Sequence, residues 1–400
     1  MRISRRLLVT SCATVLATPR IGRAHKNAPS RIGEINSYTA AAAFTLPYRK
    51  GWQLAVEQVN QAGGVLGRPI EVISRDDAGN PADAVRAATE LVERQNVDLL
   101  AGTYRSDVGL AVSDYAHNTR KLFIASEPIT DALVWQKGHR YCYRLRSSTY
   151  MLAAMLVQEA AKADAKRWAT IAPNYEYGQS AVRWFRQLLK QAQPDVEFVG
   201  EQWPAVGNFE AGATVAAIER LKPDGILNVT FGADQTNLVR QGNTRGLFDG
   251  RVVASFTTGE PEYLEQMGDE APVGWIVTGY PDDVSDPRNR GFVKAYKTRF
   301  GEPPRMGSVI GYSTITAIVA AISKSRSAET EVMADGFAGA EFDTPFGRAG
   351  WRAIDHQSTL GTFVGRTALK DGRGIMVDWR YVDGITVLPP DNEVRSLRPG

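Results

Sequence analysis

Two spacings of apolar residues alternate along the chain from about residue 31 to residue 255. Short apolar runs predict buried strands, and apolar residues repeating every three or four positions predict helices. The predicted strands are 31–38, 69–74, 98–102, 121–125, 168–172, 196–202, 225–229 and 251–255. The predicted helices are 48–62, 81–95, 107–119, 178–192, 209–221 and 234–245. This order predicts right-handed β–α–β units on parallel sheets.

Two series of such units meet near residue 145, without a low-complexity linker between them. A further strand at 274–279, a helix at 308–324 and a strand-rich segment at 341–381 follow, and the helix is too apolar on one side to stand alone. The predicted fold class is therefore α/β, with two doubly wound parallel-sheet lobes joined by a multi-strand hinge and a ligand cleft between them. The predicted lobes are 28–145 plus 279–356 (N-terminal) and 146–278 plus 357–400 (C-terminal).

The first 24 residues have the pattern of an export signal. A basic start at 1–6 precedes an apolar run at 7–17 and a small-residue exit, which predicts cleavage near Ala24. The Arg5-Arg6 pair fits a twin-arginine leader. Lipidation at Cys12 is the alternative, but it would leave too short an apolar core. We therefore expect a periplasmic protein.

Composition and charge exclude several classes of protein. Hydrophobic residues make up 43% and charged residues 23%, as in soluble globular proteins. The leader carries five arginines and no acidic residue, so its removal changes the formal charge from +3 to −2 and leaves no electrostatic case for nucleic acid. Cys142 is then the lone cysteine, and its place in an alternating strand predicts a buried thiol.

Five segments resemble one known family: 51–92 (with the motif NQAGGVLGRP), 101–116, 173–185, 231–247 and 286–304. They are similar to the periplasmic substrate-binding proteins of branched-chain amino acid ABC transporters, the leucine/isoleucine/valine-binding type. The resemblance covers the mature chain in order and implies the type I periplasmic binding fold. It implies a small-molecule ligand and an inner-membrane ABC permease as partners.

The resemblance also implies ligand contacts in the loops that follow the strands of the first lobe. Phe44 matches an aromatic wall position, and Tyr104 and Ser106 lie in the loop before the third helix. The family uses a serine matching Ser106, with backbone N–H groups, to hold a carboxylate; the alternative is a plain helix N-cap. The next such loop contributes Ser126, Glu127 and Thr130, where Glu127 either faces solvent or binds the ligand.

The second lobe is expected to contribute aromatic side chains. Tyr175 and Tyr177 follow one strand, Phe231 follows another, and Tyr280 follows the crossover at 274–279. Together with the first lobe, they predict a largely apolar pocket with a few polar anchors.

The chain departs from the family where amino-acid binders place an acid for the ligand's α-ammonium. Phe256 or Thr257 falls at that position, and the nearest acids are Glu260 and Glu262. A desolvated ammonium needs a carboxylate partner. Either Glu260 or Glu127 therefore substitutes, or the ligand is a carboxylate, aromatic acid, amide or urea-like molecule without an α-ammonium.

The predicted function is capture of a small ligand by lobe closure and its delivery to a permease. An exported sensor feeding a signalling partner is the alternative. Catalysis is not expected: Ser313 lies in an apolar helix rather than a nucleophile elbow, and the histidines lack metal-ligand spacing. We expect no catalytic residues, metal or cofactor, and a monomer whose two lobes both reach the permease.

Overall fold

The computed structural model describes residues 28–327 and 329–398, and the predicted leader lies outside them. The first sheet and its helices are built from one continuous stretch of chain. Its elements are β1 (Ser30–Asn36), α1 (Ala42–Gln61), β2 (Ile70–Asp76), α2 (Pro81–Glu93), β3 (Leu99–Gly102), α3 (Ser106–Thr119), β4 (Phe123–Ala125) and β5 (Cys142–Arg144). The strands form a parallel sheet in the order β2-β1-β3-β4-β5.

A second series of units builds the second sheet. Its elements are α4 (Thr149–Ala160), β6 (Arg167–Ile171), α5 (Glu176–Ala192), β7 (Glu197–Gln202), α6 (Ala211–Leu221), β8 (Gly225–Asn228), α7 (Gly232–Arg245), β9 (Val252–Gly259), α8 (Pro261–Met267) and β10 (Ile276–Gly279). These strands are parallel to one another, as the sequence pattern predicts.

The remainder of the chain adds helices, two strands of the second sheet and a separate two-stranded sheet. Its elements are α9 (Pro287–Phe300), α10 (Met306–Ser325), α11 (Thr330–Phe337), β11 (Glu341–Thr344), β12 (Gly347–Gly350), β13 (Thr362–Lys370), β14 (Arg373–Val382) and α12 (Asp391–Leu397). The second sheet has the order β14-β13-β10-β9-β8-β6-β7, with β13 and β14 antiparallel. The α/β fold class with two parallel-sheet lobes is therefore confirmed. In the strand-rich finish, β11 and β12 form a separate antiparallel pair, and β13 and β14 are an antiparallel extension of the second sheet.

Helix α10 packs against α1 through backbone contacts that only glycine allows. A Cβ atom added to Gly51 of α1 would lie 2.1 Å from the Ser308 carbonyl oxygen, and one added to Gly311 of α10 would lie 2.0 Å from that of Tyr48. Helix α10 is long and apolar enough to cross a membrane, but 72% of its most apolar window is buried inside the protein. Its apolar surface is thus used in the core of the first lobe, as predicted.

The helix predictions were mostly right, and two differences have clear physical reasons. Helix α1 begins at Ala42 rather than at 48 and contains Pro47, a residue that favours a helix boundary in the sequence because it lacks a backbone N–H donor. Helix α4 was missed, because almost all of its residues are apolar and buried, so that no polar face marks the helical period. Cys142 is a free, buried thiol in β5, as predicted.

Candidate functional site

A cavity lies where the loops at the carboxyl ends of strands from both sheets meet, the usual ligand position in open α/β sheets. It contains about 360 Å³ of empty space, part of which is open to solvent. Its lining residues are Tyr104, Arg105, Ser106, Glu127, Ile129, Arg146, Tyr175, Tyr177, Phe231, Thr257 and Tyr263. The lining residues numbered 104–146 follow strands of the first sheet. Those numbered 175–263 follow strands of the second sheet, except Thr257, which lies within β9.

The turn between β3 and α3 brings Ser106 to the cavity. Gly102 ends the strand at φ +107°, a value that favours glycine, and a Cβ there would lie 2.4 Å from the Ile35 carbonyl oxygen. Ser106 is the first residue of α3, and its Oγ accepts from the Thr130 N–H at 3.4 Å. The N-cap is Arg105 without a side-chain bond to the helix, so the plain N-cap alternative for Ser106 is wrong.

The first residue of α3 lines the cavity, so the amino-terminal end of this helix faces it. Free N–H groups in the first turn and the helix dipole favour an anion at this end. Arg105 is held there by Asp107, with two hydrogen bonds of 2.9 and 2.7 Å, and its guanidinium carbon lies 5.1 Å from the centre of the Tyr175 ring. The position is suited to a carboxylate.

Aromatic rings from both lobes form the apolar walls. The rings of Tyr104 and Phe44 are 5.3 Å apart, and Phe44 borders the wider space outside the cavity. The Phe231 ring lies 6.3 Å from Tyr104 and 5.9 Å from Tyr177, whose ring is in turn 5.9 Å from Tyr175. These centroid distances are those of interacting aromatic pairs. They give the cavity an apolar wall against which a flat or branched ligand body could pack.

Polar contacts join the lobes directly beside the cavity. The hydroxyl groups of Tyr104 and Tyr263 are 3.0 Å apart, and the Thr130 hydroxyl donates to Glu176 Oε1 at 2.9 Å. In each pair one residue follows a strand of the first sheet and the other follows a strand of the second. The structure therefore shows the two lobes in contact around the site.

A buried ionic cluster forms one wall of the cavity. Arg146, two residues beyond β5, donates from Nη1 to Glu127 Oε2 at 2.7 Å and from Nη2 to Glu260 Oε1. The exposed fractions of the three residues are 8%, 2% and 1%. Glu127 follows a first-sheet strand and Glu260 follows β9, so the guanidinium connects the lobes. The alternative that Glu127 faces solvent is wrong.

Burial changes the acid–base properties of this cluster. Desolvation raises the pKa of Glu127 to about 7 and raises that of Glu260 well above its ordinary value, although Arg146 opposes both shifts. Burial lowers the pKa of Arg146, but the neighbouring carboxylates more than compensate, so the guanidinium stays charged. Within the described chain, Glu127 Oε1 and Glu260 Oε2 have no hydrogen-bond partner.

The third nearby acid, Glu262, is occupied elsewhere. Its oxygens accept from the backbone N–H groups of Met306 (3.2 Å) and Gly307 (2.7 Å) at the start of α10. Desolvation raises its pKa to about 7, against these bonds. At the position of the family's acid, Thr257 lines the cavity with φ 56°, whereas Phe256 is fully buried in the core.

The structure brings together most of the twelve residues that the sequence singled out, but not all. Ser126 hydrogen-bonds Tyr48 and Thr314 inside the first lobe. Tyr280 pairs with Asn289, away from the cavity, and Thr130 bridges to the second lobe without lining the cavity. The side chains of these three residues have protein partners outside the cavity lining, and their ligand contacts stay a prediction.

Four lining residues were missed: Arg105, Ile129, Arg146 and Tyr263. Arg146 left a signal in the sequence, since two arginines in the segment YCYRLR alternate with residues of a buried strand. Charged residues are rarely fully buried unless they are paired. Tyr263 left none, because its place follows from the packing of α8.

The described residues do not contain a group of three or more His, Cys, Asp or Glu that could hold a metal ion. Ser313 is buried in the middle of α10, far from the geometry of a nucleophile elbow. The arrangement of two arginines, donors at a helix start and aromatic walls is suited to binding.

Comparisons with known proteins agree with this geometry. The family model described as "Periplasmic binding protein" matches residues 29–373. The leucine-, isoleucine-, valine-, threonine- and alanine-binding protein of Pseudomonas aeruginosa is 28% identical, over 79% of this chain and 82% of its own length.

Solved structures show the same fold. A solute-binding protein of an ABC transporter from Rhodopseudomonas palustris, in complex with 3,4-dihydroxybenzoic acid, has a TM-score of 0.80 at 23% identity, covering 90% of this chain and 98% of that one. A branched-chain amino acid transporter substrate-binding protein from Streptococcus pneumoniae, in complex with isoleucine, has a TM-score of 0.77 at 20% identity, covering 89% and 99%. The chain therefore belongs to the periplasmic binding protein family, and it is similar to members of the leucine/isoleucine/valine-binding type.

Proposed function

We propose that this protein captures a small carboxylic acid in the periplasm and delivers it to an inner-membrane ABC permease. The observation that carries the proposal is the cavity between the two sheets, which combines an anion-favouring helix start, a buried arginine and aromatic walls from both lobes. The ligands named for the three relatives, branched-chain and small amino acids, 3,4-dihydroxybenzoic acid and isoleucine, all carry a carboxyl group.

Lobe closure is the proposed mechanism of capture. We assign residues 28–145 plus 279–356 to one lobe and 146–278 plus 357–400 to the other. A ligand that touches Ser106 on one lobe and Phe231 on the other stabilises only the closed form, and a permease can recognise that form. Export of the chain, with removal of residues 1–24, and action as a monomer belong to the same proposal.

The first test measures binding by the leader-free protein. Thermal shift and titration calorimetry against amino acids, aromatic acids, short dicarboxylates, amides and urea should reveal a carboxylic acid that raises the melting temperature, because it binds only the folded state. The ligand should be recovered unchanged. If amides or urea bind and carboxylic acids do not, the proposal is wrong.

Ser106→Ala tests the assignment of the carboxylate position. Loss of one hydrogen bond to a charged group corresponds to about 1.5–3 kcal/mol, or roughly a 10- to 150-fold weaker affinity. Ser148→Ala is the matched control: the Ser148 Oγ caps α4 by accepting from Met151 N–H at 3.1 Å and does not line the cavity. The control should lose stability but keep its affinity. Unchanged affinity in Ser106→Ala would remove Ser106 from the site.

A further inference from the structure

The acids around the cavity are all occupied by donors of the protein itself. Glu127 and Glu260 both bind Arg146, and Glu262 binds the first N–H groups of α10. Among the described residues that line the cavity, Glu127 is the one acid, and Glu260 is not part of the lining. A ligand cation entering the cavity therefore finds each of these acids already bonded to a donor of the protein.

Arg146, unlike these acids, still has hydrogen-bond donors that are not used by the two glutamates. A guanidinium has five N–H donors, and the two glutamates take two of those of Arg146. Arg146 also lies 5.4 Å from the centre of the Phe44 ring, measured from its guanidinium carbon, so its planar group borders the aromatic wall. Spare donors on a buried, permanently charged group suit a carboxylate.

Glu127 Oε1, which has no partner within the described chain, is the feature that could still attract an ammonium. Burial raises the pKa of that carboxyl to about 7 and so disfavours its charged form. A ligand hydroxyl can bond to it in either protonation state, whereas an ammonium requires the charged form and would also lie near the Arg146 guanidinium. Together, these effects disfavour the binding of a ligand ammonium group in the cavity.

From these contacts we infer that Arg146 sets ligand specificity: it occupies the acids of the site as an internal cation and selects carboxylic acids that carry no α-ammonium group. This inference rests on the proposed function and narrows its ligand class. It assigns the specificity to Arg146, which the sequence pattern did not single out.

The test compares matched acids that differ only in the ammonium group, using the leader-free protein and titration calorimetry. The pairs are 3-phenylpropanoate with phenylalanine and 4-methylpentanoate with leucine. The wild-type Kd should be at least tenfold lower for the acid without the ammonium in the pair that fits the cavity. If phenylalanine or leucine binds as tightly as its partner or more tightly, the inference is overturned while the proposed function stands.

Variants identify the residue responsible. Arg146→Met should free Glu127 and Glu260 and shift the affinity ratio at least tenfold towards the amino acid. Arg146→Lys keeps the charge and should keep the wild-type preference. Arg140→Met removes a half-exposed arginine paired with Glu331 on the surface and should change nothing. A folded Arg146→Met protein with an unchanged ratio would overturn the assignment.

Two further outcomes are decisive. If Arg146→Met does not fold because two carboxylates are left buried, the wild-type ratios and Arg146→Lys decide the question, and a Lys variant that prefers amino acids contradicts the inference. If none of the four ligands or other carboxylic acids binds the wild-type protein, the proposed function fails and the specificity inference falls with it.

Discussion

Replacing Gly311 by alanine should destabilise the first lobe by forcing α1 and α10 apart. The new Cβ would lie 2.0 Å from the Tyr48 carbonyl oxygen and 3.0 Å from the Trp52 nitrogen. Real Cβ atoms essentially never come closer than 3.0 Å to a neighbour, so the helices must separate by about 1 Å. A side chain could rotate out of such a contact, but the backbone oxygen and nitrogen atoms of α1 are fixed in the helix.

The magnitude follows from two opposing effects. Overpacking a well-packed core costs about 1–3 kcal/mol, and the backbone contact puts Gly311 at the upper end. Alanine gains about 0.5–1 kcal/mol over glycine inside a helix. We expect a net loss of about 2 kcal/mol in the free energy of unfolding, measured by urea denaturation followed by circular dichroism.

Gly291→Ala is the matched control in α9. Its added Cβ would meet nothing within 4 Å, so only the helix-propensity gain remains, and the variant should be about 0.5–1 kcal/mol more stable than wild type. The reasoning is refuted if Gly311→Ala is within about 0.5 kcal/mol of wild type, or is as stable as the control.

Two further predictions concern buried titratable groups. Burial raises the pKa of Glu34 to about 7 from its ordinary 4.5, so its stability contribution is full below pH 4.5 and is lost as the pH rises through 7. The free energy of unfolding of Glu34→Gln should therefore match that of wild type near pH 4.5 and exceed it by up to about 3 kcal/mol at pH 8 in a denaturation series. The exposed control Glu341→Gln should show no such gain. A difference between Glu34→Gln and wild type that does not depend on pH would contradict this reasoning. Burial also raises the pKa of Cys142 to about 11, so a thiol reagent should label it at pH 8 only after unfolding, and rapid labelling of the native protein would show the burial to be wrong.

The sequence predicted those parts of the candidate site that depend on local order along the chain. Tyr104 and Ser106 follow β3 directly, and Tyr175 and Tyr177 follow β6, so their places at the carboxyl ends of strands could be inferred from the strand–helix alternation. Tyr280 follows a strand by the same rule, but it packs against Asn289. Position after a strand gives the edge of the sheet, and it does not give the direction of the side chain.

The pairing of charges could not be predicted in this way. Glu127, Arg146 and Glu260 come from three separate loops, and Arg146 is 114 residues from Glu260. Their ion pairs exist because the two lobes approach one another, and burial then makes pairing necessary. A sequence pattern predicts that two arginines lie in or next to an apolar strand, but it does not show which acids meet them.

The sequence by itself determined the two α/β lobes and the buried thiol, because hydrophobic period and local turn chemistry act over short stretches of chain, and the resemblance of five segments indicated the family. Only the tertiary structure decided which acids stay free to meet a ligand. Arg146 and the N–H groups of α10 occupy Glu127, Glu260 and Glu262. The electrostatics of a buried cleft depend on contacts between residues far apart in the chain, and those contacts form only when the lobes pack together.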